Sequence, residues 1–267
     1  MIDVYRPPEK SDRECEYWWF DIWDRLVNSV QQAAGPVRIE TGPGEIAMDP
    51  HIHSLFSHCS ISQPETIICR AVNIGLSAIC VMDHNDTRGS VHAGQCADDM
   101  KRRGLIPESF LVIPGVETNT SCGHIGALFV KEAFPKGLCP EQTVRLIHEA
   151  GGLAVAVHPY HSTGIKDALY DAPFDAVEVE CGAVFGQKLV RMNAALVEDP
   201  RLSGIAKFGA SDAHYVNSIG TCYTVMKLSD PTLDKAQEAI ANGNCLAKAS
   251  QPCRRIRKLL GGVNKLD

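Results

Sequence analysis

Short apolar runs that stop abruptly at a histidine or a carboxylate recur along this chain, and that punctuation constrains its fold more than any other feature. The run 79–82 ends at Asp83-His84, 153–157 ends at His158-Pro159, and 205–208 leads through Gly209-Ala210-Ser211 to Asp212. Buried imidazoles and carboxylates cost free energy unless they find partners, so polar clusters at strand ends are hard to produce by packing needs alone. In an open parallel sheet or a closed α/β barrel the carboxyl ends of the strands share one face, and residues distant in sequence converge there.

The hydrophobic periodicity predicts strands over 45–48, 76–82, 110–114, 125–130, 153–157, 176–179, 205–208 and 222–227. Helices are predicted over 64–74, with Pro64 in its first turn, and over 140–150, closed by Gly151-Gly152. Two more fit 185–197 and 232–241, the latter followed by Asn242-Gly243 as a C-cap. Strand–helix alternation of this kind implies a mostly parallel sheet. Upstream, residues 14–34 carry Tyr17, Trp18, Phe20, Ile22, Trp23, Leu26, Val27 and Val30 at helical spacing before Gly35-Pro36 stops the pattern. The expected organisation is a helical extension over 1–44, docked through its tryptophans, and a barrel domain over 45–267.

A net charge of −6 argues against a grip on long nucleic acid, which calls for a basic surface. The basic run of Arg254, Arg255, Arg257 and Lys258 reads as a solvated helix face or tail. No apolar run approaches the roughly 20 residues needed to span a bilayer, and the first ten residues are polar, so a cytoplasmic protein without a membrane partner is expected. The eleven cysteines sit singly with no C-x-x-C pair, several within strand-like runs (Cys69, Cys80, Cys181, Cys222). They read as buried reduced thiols.

Side chains at i and i+2 of a strand point the same way, so His51/His53 and Asp212/His214 can each send two groups toward one point. Imidazole with carboxylate, and no required thiolate, suits Zn²⁺, Mn²⁺ or Fe. The number of candidate ligands exceeds what one tetrahedral ion takes and implies two or three ions. Sites of that kind suit phosphoryl chemistry, in which the ions clamp oxygens and activate hydroxide at neutral pH.

In combination these motifs resemble the polymerase and histidinol phosphatase (PHP) family. The stretch DPHIHSLFSH (Asp49 to His58) is followed in order by MDHND (Met82 to Asp86), Gly115-Val116-Glu117, His124, His158-Pro159, DAVEV (Asp175 to Val179) and GASDAH (Gly209 to His214). The resemblance runs from about Asp49 to Thr224. It implies a distorted (β/α)7 TIM-like barrel and a trinuclear metal centre that hydrolyses phosphoesters. Carried over position by position, the implied ligands are His51, His53, His58, His84, Glu117, His124, His158, Asp212 and His214, with Glu117 bridging two ions. Asp49 and Asp83 would orient imidazoles from behind the ligands. The chain departs from the family pattern at Pro50, Met82, Ala210 and Cys181, none of them a ligand position.

Other residues divide between site and surface. His124 begins a strand instead of ending one, so spacing alone leaves it even between ligand and turn-bonded histidine. Glu178 is a candidate neighbour of the site. Arg88 and Lys166, in loops beside the motifs, are split between phosphate contact and exposure. His161 is read as substrate contact or loop cap, His148 as surface, and His92 as a loop residue. Cys59 and Cys122 flank proposed ligands as neutral thiols. The function implied is phosphoester hydrolysis on a small phosphomonoester or nucleotide-type substrate by metal-activated hydroxide, with Glu117, Asp212 and His214 catalytic and His214 the candidate proton donor. The alternatives are a 5′-end exonuclease on short oligonucleotides and a non-catalytic metal-loaded scaffold.

Overall fold

A computed structural model describes Leu26, Ser29, Val30, Ala33 and residues 34–259 except Phe185. The tryptophans of the predicted N-terminal helix lie outside the described residues. The chain folds in the order β1 (Glu45–Ile52), α1 (Pro64–Ile74), β2 (Ala78–Val81), α2 (Arg88–Arg102), β3 (Leu111–Asn119), β4 (His124–Leu128), α3 (Pro140–Glu149) and β5 (Leu153–Ala156). It continues with β6 (Ala176–Cys181), α4 (Gln187–Ala195), β7 (Ala206–Ala210), β8 (Cys222–Lys227), α5 (Leu233–Ala241), β9 (Cys245–Ala249) and α6 (Gln251–Leu259). Among these residues no helix is long and apolar enough to cross a membrane.

The strands form one sheet in the order β7-β6-β5-β4-β3-β2-β1-β8-β9. Its first seven strands curve into a nearly closed barrel. The segment after β7 returns to β1, where Ile52 bridges Ala213 and His53 N donates to Ala213 O at 2.9 Å. Alternation along each strand divides the apolar residues between two layers, as the period of two demands. Met48, Cys80, Met82, Ile113, Leu128, Val157 and Phe208 pack together inside, with Ala236 and Ile240 of α5 on the same cluster. Ala47, Ile79 and Val81 face outward against Ile67, Ile68 and Ala71 of α1 and Ala93 and Ala97 of α2.

The sheet is not mostly parallel. β1–β2, β2–β3, β5–β6 and β6–β7 run parallel, but β4 is antiparallel to both neighbours and β8 to both of its own. The cause is the short β3–β4 connection, residues 120–123, which can only make a hairpin; a parallel return needs a crossover of a dozen residues or more. Because β4 is reversed, its first residue stands at the same edge as the last residues of β3 and β5. His124 pairs with Asn119 at the end of β3. A histidine that begins its strand thereby reaches the same mouth as those that end theirs.

Other elements were absent from the sequence reading. Residues 88–102 form a helix, so His92 is helical and not in a loop. β9 and α6 follow α5, and the basic run lies on α6 with Arg257 only 4% exposed, so this residue at least is no solvated face. Its guanidinium pairs with buried Glu180 and donates to Cys181 O at 2.8 Å. The buried-thiol reading fits Cys80, Cys181 and Cys222, whereas Cys69 is exposed on α1.

β7 and the β8–β9 pair approach closely at Gly209. Thr224 Oγ1 accepts from Gly209 N at 3.1 Å and donates to Gly209 O at 2.8 Å, and a Cβ at this position would run into the Tyr223 carbonyl and stand 2.9 Å from Lys248 N. Since the obstruction is backbone and cannot rotate away, Gly209→Ala is expected to destabilise the protein by about 1–3 kcal/mol. Urea unfolding of the metal-stripped protein checks this; an unchanged midpoint would mean that the seam yields.

Candidate metal centre

Six strands and the loops after them deliver histidines and carboxylates to one end of the barrel. β1 carries His51 next to its end at Ile52 with His53 just beyond, the β2–α2 loop carries His84, β3 carries Glu117, β4 opens on His124, His158 lies two residues after β5, and Asp212 and His214 follow β7. Irregular β1–β2 pairing between Asp49 and Ile52 falls where Pro50 has no N–H to donate. His158 and Asp212 adopt left-handed backbone, with φ of 29° and 49°. That region is sparsely used by residues other than glycine.

Glu117 is the hub. Its Oε2 lies 2.9 Å from His84 Nδ1 and 3.5 Å from His53 Nε2, and its Oε1 lies 3.0 Å from His124 Nδ1, 3.2 Å from His158 Nε2 and 3.7 Å from His51 Nε2. Asp212 forms a second hub, its Oδ1 3.2 Å from His53 Nε2, 3.6 Å from His51 Nε2 and 3.7 Å from His214 Nδ1. His51 and His53 present their Nε2 atoms 3.1 Å apart, as the two-residue spacing predicts. Three overlapping sets, His51/Glu117/His158, His51/His53/Asp212 and His84/Glu117/His124, are each compact enough to hold a cation. A fourth joins His53, His84 and His214 with Cys59. His58, at the corresponding place in the sequence reading, is exposed, with its ring 5.4 Å from that of His84.

The ring orientations are set from behind. Glu178 Oε1 accepts from His51 Nδ1 at 2.9 Å and its Oε2 accepts from His158 N at 2.7 Å, so this buried carboxylate holds one imidazole and one ligand-bearing backbone. Ser57 Oγ stands 3.2 Å from His53 Nδ1 and accepts from His84 N at 2.9 Å. Asp49 and Asp83 act differently from the expectation that they orient imidazoles. Asp49 accepts from Ser211 N at 3.0 Å and Gly220 N at 2.8 Å, and Asp83 from Ser54 N at 2.7 Å and Ser54 Oγ at 2.5 Å. They fix the loops that carry His53, His84 and Asp212. Gly89 makes room for this arrangement, because a Cβ there would overlap the Asp83 carboxylate and stand 2.5 Å from Ser54 Oγ.

Charge follows from this crowding. Burial disfavours the ionised form of Glu117, but His51, His124 and His158 outweigh it and hold the carboxyl well below the usual range. Burial likewise opposes ionisation of Asp212, and His51, His53 and His214 again win. His51 is raised well above an ordinary imidazole, burial being outweighed by Asp212, Glu178 and Glu117. His53 is pushed down to about 3 by burial and by His214. Asp49 is raised to about 6 by burial.

The donor set fits divalent cations on an observation independent of the motifs. His84 Nδ1, His124 Nδ1, His158 Nδ1 and Glu117 Oε2 are buried without a hydrogen-bond partner. His84 Nδ1 and His124 Nδ1 stand within 3.0 Å of Glu117 oxygens, yet the contacts are not aligned as hydrogen bonds. Buried polar atoms left so cost about 1–3 kcal/mol each. A cation among them would supply what the protein does not.

The remaining candidates ring the mouth. Arg88 is exposed, donates to Asp86 through Nε and Nη2, and lies 5.5 Å from the Phe56 ring. His161 sits 5.4 Å from the His158 ring with Nδ1 against Thr163 Oγ1 at 2.9 Å, and Lys166 turns back on His161 O at 2.8 Å. His148 is away from the cluster, 2.8 Å from Asp175.

Comparison with known proteins agrees with this geometry. The family model described as PHP-associated matches residues 201–245. An uncharacterized protein of Methanocaldococcus jannaschii is 34% identical over 143 residues, 49% of this chain and 79% of that protein. The chain belongs to the PHP family. Among solved structures, the PHP fold seen here is similar to a two-domain protein of Bacteroides vulgatus containing a predicted PHP-like metal-dependent phosphoesterase, at 19% identity and TM-score 0.61 over 80% of this chain and 69% of that one. It is also similar to a lesion-specific endonuclease of Pyrococcus furiosus, at 16% identity and TM-score 0.54 over 77% of this chain and 58% of that one. At these identities the likeness is one of fold.

Proposed function

We propose that this PHP protein hydrolyses phosphoesters of small substrates, phosphomonoesters or nucleotide-type esters, with two or three divalent ions held by the cluster. The single observation that carries the reading is the convergence of five imidazole nitrogens on the Glu117 carboxylate, all within 3.7 Å. His51, His53, His84, Glu117, His124, His158, Asp212 and His214 would hold the ions, with His58 and Cys59 at the outer edge. Such ions supply Lewis-acid stabilisation of charge on the phosphoryl oxygens and make water acidic enough to attack at neutral pH.

The protein's own groups do the rest. Glu178 and Ser57 fix the tautomers of His51 and His53 so that Nε2 of each faces the centre. Glu117 and Asp212 bring the negative charge that draws cations into a pocket of imidazoles. His214, whose Nδ1 donates to Asp212 O at 2.9 Å, is 28% exposed at the mouth; it would protonate the departing alkoxide through Nε2 only where that nitrogen is not holding an ion. The fold neighbour that is an endonuclease makes a short oligonucleotide the second substrate class worth assaying, while the net charge of −6 disfavours long nucleic acid.

Phosphate release across a panel of sugar phosphates, amino-alcohol phosphates and dinucleotides, with and without Mn²⁺, tests the reading. Metal-stimulated release on at least one of them is expected. Asp212→Asn is expected to lower that rate about 10²–10³-fold, as removal of a preorganised charge at a reacting centre does. Substoichiometric metal in protein purified without chelator, or an Asp212→Asn variant at the native rate, would count decisively against it.

A further inference from the structure

Away from the barrel mouth, the outer helices bring a second and chemically different set of metal-binding side chains together. Glu65 lies in the first turn of α1, and His92 and Cys96 lie one turn apart on α2, so imidazole and thiol project from one helix face toward the carboxylate. Cys96 Sγ is 3.3 Å from Glu65 Oε1 and 3.6 Å from His92 Nε2, and His92 Nε2 is 3.6 Å from Glu65 Oε1. For tetrahedral zinc, with Zn–S of about 2.3 Å and Zn–N and Zn–O of about 2.0–2.1 Å, the edges between ligand atoms come to about 3.3–3.6 Å. All three observed edges fall on that scale.

We propose that Glu65, His92 and Cys96 form a zinc site separate from the central cluster, with the fourth position open to water. Thiolate with imidazole selects a borderline-soft ion and disfavours Mg²⁺ or Ca²⁺. The carboxylate and thiolate together cancel the charge of the ion. Without metal the Cys96 thiol donates to Glu65; on binding, its proton leaves to solvent and the ion takes its place. Glu65 is 53% exposed and His92 33%, which leaves a path of entry. Only one of the three residues is on α1, so a bound ion would staple α1 to α2. Phe56, whose ring lies 6.1 Å from His92, belongs to the loop that also carries Ser57 and His58, so the staple would brace the wall of the mouth from outside.

Cobalt distinguishes this site from the centre. Co²⁺ added to the chelator-stripped full-length protein is expected to give a thiolate-to-cobalt charge-transfer band in the near ultraviolet. Cys59 is a second thiol near histidines, so the comparison uses both variants. The band is expected to persist in Cys59→Ser and to be lost in Cys96→Ser, which should also bind one equivalent of Zn²⁺ fewer than the native protein. The exposed Glu65→Gln change, which leaves packing alone, should keep the band and weaken Co²⁺ binding by about tenfold. A native protein without the band, a Cys96→Ser variant that retains it in full, or equal Zn²⁺ stoichiometry in the two proteins would overturn the assignment. None of these readouts depends on phosphatase activity.

Discussion

Replacing Glu117 with glutamine is expected to empty the barrel mouth of metal and to lower phosphate release by about 10³-fold, the largest functional effect of any single change. Glu117 is fully buried and both its oxygens face imidazole nitrogens, two of them within 3.0 Å. Glutamine keeps the shape but replaces one oxygen by an NH₂ group, which repels a cation and turns a donor toward ring nitrogens that need an acceptor or an ion. The carboxylate is also the main group that raises His158 above its ordinary protonation range, and it adds to Asp212 and Glu178 in raising His51. Metal quantification beside the rate assay makes the test specific. Full metal content in Glu117→Gln would show that the carboxylate is not the hub.

The largest structural effect should come from the buried ion pair at the end of β6, two residues beyond Glu178. Arg257 and Glu180 are 4% and 6% exposed and form a buried ion pair, to which Arg257 adds a hydrogen bond to Cys181 O at 2.8 Å. Arg257→Met is expected to destabilise the protein by about 3–5 kcal/mol, because it leaves the Glu180 carboxylate buried without a counter-charge. The double variant Arg257→Met with Glu180→Met should recover most of that loss, since apolar replacement of a whole buried pair is often neutral. Denaturant unfolding of the native protein, the two single variants and the double variant closes the cycle. A double variant no better than Arg257→Met would assign the effect to packing of α6 and not to charge.

The residues of the mouth were candidates from sequence because several strand-end motifs recur in the order of the PHP pattern, which a single His-x-His or Asp-x-His would not establish. Strand direction had no such signature. Periodicity says which face a residue takes but not which way the strand runs, so the reversed β4 became clear only from pairing, and with it the reason why His124, which the family resemblance implied as a ligand, reaches the mouth. Helix α2 escaped detection because its buried face is made of Gly89, Ser90, Ala93, Ala97 and Met100, too small and weakly apolar to mark a period. The Glu65–His92–Cys96 triangle was hidden with it. Arg257 misled for the opposite reason: a run of positive charge reads as solvated, and only a partner 77 residues away, Glu180, makes one member an interior residue. Glu178 was noticed as a neighbour of the site, but its work of holding His51 and the His158 backbone needed the fold.

The left-handed backbone at His158 and Asp212 sets selection for heat tolerance against selection for chemistry. Each such residue carries a conformational cost of about 1–3 kcal/mol that glycine would largely relieve. Laboratory evolution that rewarded survival on heating, with no demand for turnover, should therefore accumulate glycine or asparagine at positions 158 and 212, and a hardier barrel would emerge with its ligand ring dismantled.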